Sequence, residues 1–164
     1  MLCAYIFDID GTLADSSQRV HYICPDYDSL SKKILSLDDL DKFTPDWDSF
    51  YRESVNDKPI PDMVNLLRRI QDTGAEILFV TGRSEKYRQI TQEWLLRYVT
   101  FKVDNLFMRT TNDYRQDAVI KKELYMKNID GRFWVQGVFE DRTQCVKMWR
   151  DLGLTCFQVT DGDY

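Results

Sequence analysis

Two aspartates, Asp8 and Asp10, directly follow the apolar residues 5–7 near the start of the chain. In an extended strand, residues two apart point to the same side, so the two carboxylates are expected to converge where the strand ends. Nearby carboxylates repel each other, and a divalent cation between them keeps both ionised. Gly11 permits a sharp turn, and the amides after it can cradle an anion. A nucleophile, a proton carrier, a metal site and an anion cradle together predict phosphoryl-transfer chemistry.

The same motif, taken alone, also fits an ordinary turn after an edge strand, with both aspartates in solvent. Short motifs of this kind often occur by chance. The ends of the later strands distinguish the two interpretations. A catalytic site requires further polar residues there, whereas an ordinary turn does not.

The rest of the chain alternates strand patterns with helical patterns. Apolar runs predict further strands at 76–81, 105–108, 133–139 and 155–159. Apolar residues at helical spacing predict helices at 61–74, 84–98, 115–129 and 142–152. This alternation predicts an α/β fold, with a doubly wound, mainly parallel sheet and helices on both faces.

Polar residues do stand at the later strand ends. In folds of this class the ligand lies at the carboxyl ends of the strands, near the switch in strand order. The candidates are Thr81, Gly82 and Arg83 after one strand, Glu140 and Asp141 after another, and Lys121 on the helix between them. Since each falls where the fold would need it, together they predict one site.

Each of these residues also has an ordinary explanation. Thr81 and Gly82 fit a plain turn into the next helix. Asp141 fits a helix N-cap, with Gln144 three residues later completing a capping box. Lys121 fits a solvated lysine, which is what most lysines are.

Composition narrows the class of protein. A chain of 164 residues is expected to form one domain, 1–164, and its hydrophobic and charged content is ordinary for a soluble globular protein. The formal net charge of −5 argues against a broad electrostatic grip on a duplex, although clustered arginines could hold one chain end.

Cysteine and histidine usage excludes two further classes of site. The four cysteines are far apart and there is one histidine, so a zinc site and a Ser-His hydrolase are not expected. The first apolar run meets Asp8 too early for a signal peptide or a membrane span, so we expect a cytoplasmic protein with no membrane partner.

The strand-end residues resemble the four motifs of the haloacid dehalogenase superfamily of phosphohydrolases. The chain is closer still to the 3′-phosphatase domain of phage-type polynucleotide kinase-phosphatases. That similarity is carried by these stretches: Asp8-Ile-Asp-Gly-Thr-Leu-Ala14, Thr81-Gly-Arg83, Arg115-x-Asp117-x-Val-x-Lys121, Asp141-Arg-Thr-Gln-x-Val-x-Met-Trp-Arg150, and Gln158-Val with the terminal Gly-Asp-Tyr. It covers nearly the whole chain except 24–58, and it implies a haloacid dehalogenase-like Rossmannoid fold.

The resemblance also implies roles for these residues. Asp8 would be the nucleophile that forms an aspartyl-phosphate, and Asp10 would act as general acid and then as general base. Mg²⁺ would be held by Asp8, the Asp10 carbonyl and Asp141, with Glu140 acting through water. Thr81 and Lys121 would hold the phosphoryl oxygens. Glu140 departs from the family pattern, in which an aspartate stands at that place.

Three arginines, Arg19, Arg83 and Arg109, fall on positions that the resemblance places near the phosphate and the nucleic-acid end. Arginine suits bidentate contacts to phosphate. A solvated arginine or a surface ion pair is the competing explanation, above all for Arg109. Arg115 and Asp117 can be explained as a pair on one helix.

The segment 15–60 is rich in aspartate, serine and aromatic residues, and it sits where superfamily members carry a specificity cap. It is interpreted as a cap-like insertion, with short helices expected near 30–37 and 47–55. Its aromatic residues, including Tyr27, most simply form a satellite cluster against the main body. Trp47 or Phe50 could instead stack on a base.

These features predict a Mg²⁺-dependent polynucleotide 3′-phosphatase that acts alone or beside a separate polynucleotide kinase or ligase. No Gly-x-x-x-x-Gly-Lys-Ser/Thr loop of a kinase is present. The alternatives are a phosphatase of free nucleotides or other small phosphomonoesters, and a non-catalytic, receiver-like phosphate-binding module.

Overall fold

A computed structural model describes residues 1–24 and 43–161 of the chain. Its strands are, in chain order, β1 (Leu2–Phe7), β2 (Ala14–Asp15), β3 (Lys58–Pro59), β4 (Glu76–Ser84), β5 (Leu106–Arg109), β6 (Phe133–Glu140) and β7 (Cys156–Gln158). Five of them form one parallel sheet in the order β5-β4-β1-β6-β7. The short strands β2 and β3 pair separately in antiparallel fashion.

Five α-helices lie among the described residues: α1 (Trp47–Arg52), α2 (Pro61–Asp72), α3 (Arg88–Tyr98), α4 (Asp117–Asn128) and α5 (Thr143–Asp151). Residues of α2 and α3 pack on one face of the sheet, and residues of α4 and α5 pack on the other. The predicted α/β fold with helices on both faces is therefore confirmed.

Alternate residues of the central strands supply the two cores. Phe7 and Phe79 point into the core with α2 and α3, whereas Ile6, Leu78 and Val80 point into the core with α4 and α5. This is the two-residue period of an extended chain that is buried on both faces. Burial on both faces holds the carboxyl ends of β1 and β4 in fixed positions.

The strand order places a switch point between β1 and β6. Counted along the chain, the five strands lie in the order 3-2-1-4-5, because β4 and β5 are added on one side of β1 and β6 and β7 on the other. Ligands of open α/β sheets bind outside the carboxyl ends of the strands at such a point. Receiver domains have the different order 2-1-3-4-5, so the receiver-like interpretation is wrong.

Two predicted boundaries differ from the structure by more than two residues. The strand expected to end at Thr81 continues to Ser84, because Ser84 pairs with Arg109 of β5 after a register shift. The helix expected from residue 84 begins at Arg88, because a short 3₁₀ helix, capped by the Ser84 hydroxyl, comes first.

The two ends of the segment 15–60 are held together by the pairing of β2 with β3. Ala14 pairs with Pro59 and Asp15 with Lys58, which brings the two ends of the segment together. The helix expected near 47–55 is present as α1 followed by a 3₁₀ helix, Glu53–Asn56. The helix expected near 30–37, Tyr27 and the terminal Gly-Asp-Tyr lie outside the described residues. The interpretation as a cap stays a prediction.

Among the described residues, no helix is both long enough and apolar enough to cross a membrane.

Candidate active site

A buried cluster of charges lies at the switch point. The Lys121 ammonium is 2.8 Å from Asp8 Oδ1 and 2.7 Å from Glu140 Oε2. Asp8 follows β1, Glu140 ends β6 and Lys121 lies in the second turn of α4. All three side chains are almost completely buried. The fold thus brings together three residues that the sequence places on separate elements.

The same cluster includes Asp141, which gives it a surplus of negative charge. Carboxylate oxygens of Asp8, Glu140 and Asp141 lie within 4.8 Å of one another. Burial raises the pKa of Asp8 well above its usual value, and the charges of Glu140 and Asp141 raise it further, against the opposing effect of Lys121. Burial alone would lower the pKa of Lys121, but Asp8 and Glu140 outweigh that effect and raise it well above its usual value.

This donor set fits a hard divalent cation. Mg²⁺ prefers carboxylate oxygens and is held in proteins by one or two carboxylates. A cation among these oxygens would relieve the repulsion that raises the pKa of Asp8. Lys121 alone does not balance three carboxylates, so the charge count also favours a cation.

Neighbouring groups orient Glu140 and Asp141 at the carboxyl end of β6. Glu140 accepts hydrogen bonds from the Trp149 indole at 3.4 Å and from the Arg142 amide at 3.3 Å. Gln158 Nε2 donates to the Asp141 carbonyl at 2.9 Å. The N-cap position of α5 belongs to Arg142 rather than to Asp141, so the ordinary explanation of Asp141 as a helix cap is wrong.

Asp10 is held by two buried arginines. Arg83 Nε lies 3.0 Å from Asp10 Oδ2, and an Nη2 atom of each of Arg19 and Arg83 donates to Asp10 Oδ1. Burial alone would raise the pKa of Asp10, but the two guanidinium groups outweigh that effect and hold it well below its usual value. Asp10 is therefore ionised at neutral pH in this structure.

A further carboxylate, Asp57, completes this network, and sequence reasoning missed it. Arg19 Nε donates to Asp57 Oδ1 at 2.8 Å, and Arg83 Nη2 lies 3.3 Å from Asp57 Oδ2. The Trp94 indole donates to the Asp57 carbonyl at 2.9 Å. The sequence held only an indirect sign of such a residue. Two arginines beside a single aspartate need a second negative charge, but the sequence does not show which carboxylate supplies it.

Arg19 and Arg83 were predicted to bind substrate. Both guanidinium groups are buried and donate to Asp10 and Asp57, and Arg19 also donates to the Phe50 carbonyl at 3.1 Å. These contacts give them a positioning role toward Asp10. Direct contact with the substrate stays a prediction.

Thr81 and Gly82 lie at the bend of β4, beside the charge cluster. Thr81 is buried, and the Gly82 carbonyl accepts hydrogen bonds from Tyr51 at 3.2 Å and from Arg109 Nε at 2.7 Å. A Cβ atom at Gly82 would lie only 2.5 Å from Asp117 Oδ1, so any larger residue here would displace the Asp117 carboxylate.

Asp117 was expected to pair with Arg115, and that prediction is wrong. Arg115 instead pairs with Asp113 at 2.7 Å, while Asp117 accepts hydrogen bonds from Arg142 Nη1 at 2.6 Å and from Arg109. Burial alone would raise the pKa of Asp117, but Lys121, Arg142 and Arg109 lower it below its usual value. The Arg109 guanidinium is therefore used within the protein, and its contact with substrate stays a prediction.

Gly11 and Thr12 form the turn after Asp10, with Gly11 at a positive φ of 77°. Their amides donate to the carbonyls of Ala14 and Ile9 within the turn. These two amides are thus used within the turn, and the anion cradle from the amides after Gly11 stays a prediction, as does a role of either residue in substrate binding.

Two neighbouring cavities open at the carboxyl edge of the sheet. The inner cavity, of about 210 Å³, is lined by Asp8, Asp10, Thr81 and Lys121, among others. The outer cavity, of about 360 Å³, shares four lining residues with it: Trp47, Tyr51, Asp117 and Arg142. The predicted nucleophile, proton carrier and phosphate-binding residues thus share one cavity.

Comparisons with known proteins agree with this arrangement. Residues 46–164 match a family described as the polynucleotide kinase PNKP phosphatase domain. A protein of Autographa californica nuclear polyhedrosis virus, named "Putative bifunctional polynucleotide kinase/RNA ligase", is 32% identical over 157 residues. That match covers 95% of this chain and 19% of the viral protein.

Two solved structures are also similar to this chain. A chain of the Pnkp1/Rnl/Hen1 RNA repair complex superposes with a TM-score of 0.75 at 31% identity, covering 100% of this chain and 44% of that one. The class C acid phosphatase of Bacillus anthracis superposes with a TM-score of 0.64 at 14% identity, over 99% of this chain and 68% of its own, which reflects the fold alone. This chain thus spans less than half of the first of these structures and about a fifth of the viral relative.

Proposed function

Because the chain belongs to the family of polynucleotide kinase PNKP phosphatase domains and is a phosphatase, we propose that it hydrolyses 3′-phosphates at polynucleotide ends. The observation that carries the proposal is the buried cluster of Asp8, Lys121, Glu140 and Asp141 at the switch point. The cluster faces a cavity that also contains Asp10 and Thr81.

In the first half-reaction, a carboxylate oxygen of Asp8 attacks phosphorus in line with the ester bond. The bond from phosphorus to the 3′-oxygen breaks, and Asp10 donates the proton that the leaving oxygen needs. In the second half-reaction, Asp10 accepts a proton from water as that water attacks the aspartyl-phosphate. Inorganic phosphate leaves and Asp8 is regenerated.

Asp10 must carry a proton for the first step, although Arg19 and Arg83 hold its pKa low in this structure. A bound phosphomonoester brings negative charge into the same cavity, and nearby negative charge raises the pKa of a carboxyl group. Arg19 and Arg83, fixed in turn by Asp57, keep the Asp10 carboxylate directed toward the cavity while it exchanges protons.

Lys121 and Thr81 bind the phosphoryl oxygens. Both line the inner cavity, and Lys121 Nζ already lies beside the nucleophile. A buried ammonium stabilises the charge of phosphoryl transfer more strongly than a solvated one does. The hydroxyl of Thr81 adds a donor at the bend of β4.

Asp8, Asp141 and the Asp10 carbonyl are the ligands that we assign to Mg²⁺, with Glu140 acting through water and through its bond to Lys121. When bound, Mg²⁺ supplies positive charge that offsets the charge of the phosphoryl group.

The 3′-hydroxyl left by this reaction is a substrate for ligation or extension, so a separate polynucleotide kinase or ligase is the proposed partner. The names of the similar proteins support this assignment, since one is called "Putative bifunctional polynucleotide kinase/RNA ligase" and the other is part of an RNA repair complex. RNA ends are therefore the first substrates to test.

The test is phosphate release in Mg²⁺ from a 3′-phosphorylated oligonucleotide, a 5′-phosphorylated oligonucleotide and the 3′- and 5′-mononucleotides. The Asp8→Asn variant is the blank. Selective release from the 3′-phosphorylated oligonucleotide is expected. Faster release from mononucleotides would assign the site to free nucleotides, an alternative that the net charge of −5 favours. If the folded protein released no phosphate from any of these substrates, the substrate assignment would be refuted.

A further inference from the structure

The outer cavity has no role in the chemistry described above. It is defined by α1, the start of the 3₁₀ helix after β4 and the loop before α4, and its volume of about 360 Å³ lies within the usual range for ligand sites. Trp47 and Tyr51 line both this cavity and the inner one. A group attached to a phosphate at Asp8 therefore lies next to the outer cavity.

Aromatic side chains form much of its lining. Trp47 remains 40% exposed and stacks on Tyr51 with ring centres 5.9 Å apart. Tyr51 packs in turn on Tyr87 with ring centres 5.3 Å apart. Tyr114, in the loop before α4, is 81% exposed. Exposed aromatic faces beside a phosphate site are suited to stacking on a nucleobase.

Hydrogen bonds connect α1, which carries Trp47 and Tyr51, to β4 and to the 3₁₀ helix after it. The Tyr51 hydroxyl donates to the Gly82 carbonyl at 3.2 Å, next to Thr81. Asp48 of α1 bonds to Lys86 and Tyr87, which ties α1 to the 3₁₀ helix that follows β4. These bonds position the Trp47 ring relative to the strand that carries Thr81.

The charges of the lining suit a phosphodiester chain. Lys86, Arg109, Arg115 and Arg142 line the cavity with three aspartates, although the chain as a whole is acidic. Lys86 and Arg115 lie at the surface in exposed ion pairs. Exposed ion pairs contribute little stability, so these cations can exchange a carboxylate for a phosphodiester at low cost.

We infer that the outer cavity binds the terminal nucleobase of the 3′-phosphorylated strand, through stacking on Trp47 and Tyr114. This inference rests on the proposed function and adds to it, because it makes the base itself a recognition element. A phosphate on an abasic end would then be a poor substrate despite carrying the same charge.

The test uses two 3′-phosphorylated oligonucleotides that differ only at the last residue, which is either a normal nucleotide or its tetrahydrofuran abasic analogue. For the wild-type protein we expect kcat/KM to favour the normal end by roughly five- to a hundredfold, the range that base stacking supports. Trp47→Ala and Tyr114→Ala should each reduce this preference. Phe101→Ala and Trp134→Ala, at positions 81% and 62% exposed outside the cavity, should keep it.

Binding of the same two oligonucleotides in EDTA, measured by fluorescence anisotropy, separates recognition from chemistry. Equal kcat/KM and equal binding for the two ends would overturn the inference. It would also be overturned if Tyr114→Ala and Trp47→Ala both kept the wild-type preference for the normal end. Base-dependent binding without hydrolysis of either oligonucleotide would refute the proposed function and leave the nucleobase site in place.

Discussion

The ammonium group of Lys121 lies 2.8 Å from a carboxylate oxygen of Asp8, and both side chains are buried. One residue comes from the second turn of a helix and the other from the end of the first strand. This contact places a cation beside the proposed nucleophile before any substrate arrives, and it connects the chemistry of the site to the stability of the fold.

Lys121→Met should lower kcat/KM by about 10²–10³, because one charged donor to the phosphoryl group is lost. It should also destabilise the protein by roughly 3–5 kcal/mol, since Asp8 and Glu140 would share a buried site without their cation. Phosphate release and thermal unfolding measure the two effects. Lys122→Met, on the exposed neighbour, is the control and should change neither. Wild-type turnover in Lys121→Met would contradict the assigned role.

Asp57→Asn should reduce both turnover and stability, although Asp57 does not line the inner cavity. The change leaves Arg19 and Arg83 buried with only Asp10 as counter-charge, and breaking a buried pair costs roughly 3–5 kcal/mol. Chemical denaturation and kcat report the two losses. Asp72→Asn, at the exposed end of α2, is the matched control. An unchanged kcat in folded Asp57→Asn would show that Asp10 needs no such support.

Acid should weaken the contribution of Asp10 to stability. Arg19 and Arg83 hold the pKa of Asp10 below its ordinary value of 3.8, despite burial, so the unfolded state binds its proton more tightly. The contribution is therefore fully present above about pH 4 to 5 and is lost as the pH falls further. We expect the stability difference between wild type and Asp10→Asn to shrink on acidification from about pH 6 to about pH 3.

Urea unfolding at each pH measures this difference, and Asp62→Asn reports what an exposed aspartate contributes over the same range. A difference that grows on acidification would mean that the two guanidinium groups do not stabilise the ionised form of Asp10.

Chelation should abolish phosphate release, and Mg²⁺ should restore it. Mg²⁺ should also raise the melting temperature of the wild-type protein, because binding to the native state stabilises it by about 2.7 kcal/mol at a hundred times Kd. In Asp141→Asn this rise should be much smaller, since one of three clustered carboxylates is neutralised. The exposed Asp15→Asn variant should behave like wild type. An equal rise in all three proteins would place the cation elsewhere.

Gly82→Ala should damage activity through packing alone. Its Cβ atom would lie 2.5 Å from Asp117 Oδ1 and displace the carboxylate that holds Arg109 and Arg142. A displacement of this size next to Thr81 is expected to lower kcat/KM on the order of tenfold to a hundredfold. Gly137→Ala, whose Cβ would meet the Phe157 ring at 3.2 Å, is the control and should affect stability rather than turnover. Full activity in Gly82→Ala would show that Asp117 can move without consequence.

Much of the fold and part of the site were predictable because the signals are local. Apolar runs and helical spacing gave the alternation of strands and helices, and motifs at strand ends identified Asp8, Glu140 and Asp141. Parallel strands end at a common edge, so local motifs on β1 and β6 had to converge. Boundaries were less predictable, as at Ser84, because pairing with β5 rather than composition extends β4.

The ion-pair partners of charged side chains could not be predicted from local sequence signals. Asp57 looks like any other aspartate in a chain with 27 acidic residues. Asp117 was assigned the wrong arginine, because spacing on one helix suggested Arg115 while Arg109 and Arg142 approach from other elements. Ion pairs depend on distance in space, and separation along the chain carries little information about it.

The amino-acid sequence by itself therefore determined the class of fold, the sheet edge that carries the candidate site and the chemical identity of its main groups, since these follow from periodicity and from residue type. Only the tertiary structure decided that Arg19 and Arg83 lie buried against Asp10 and Asp57, and that an aromatic cavity adjoins the catalytic one. The physical reason is that burial and charge pairing arise from how helices and strands pack against one another, and the order of residues along the chain does not specify that packing locally.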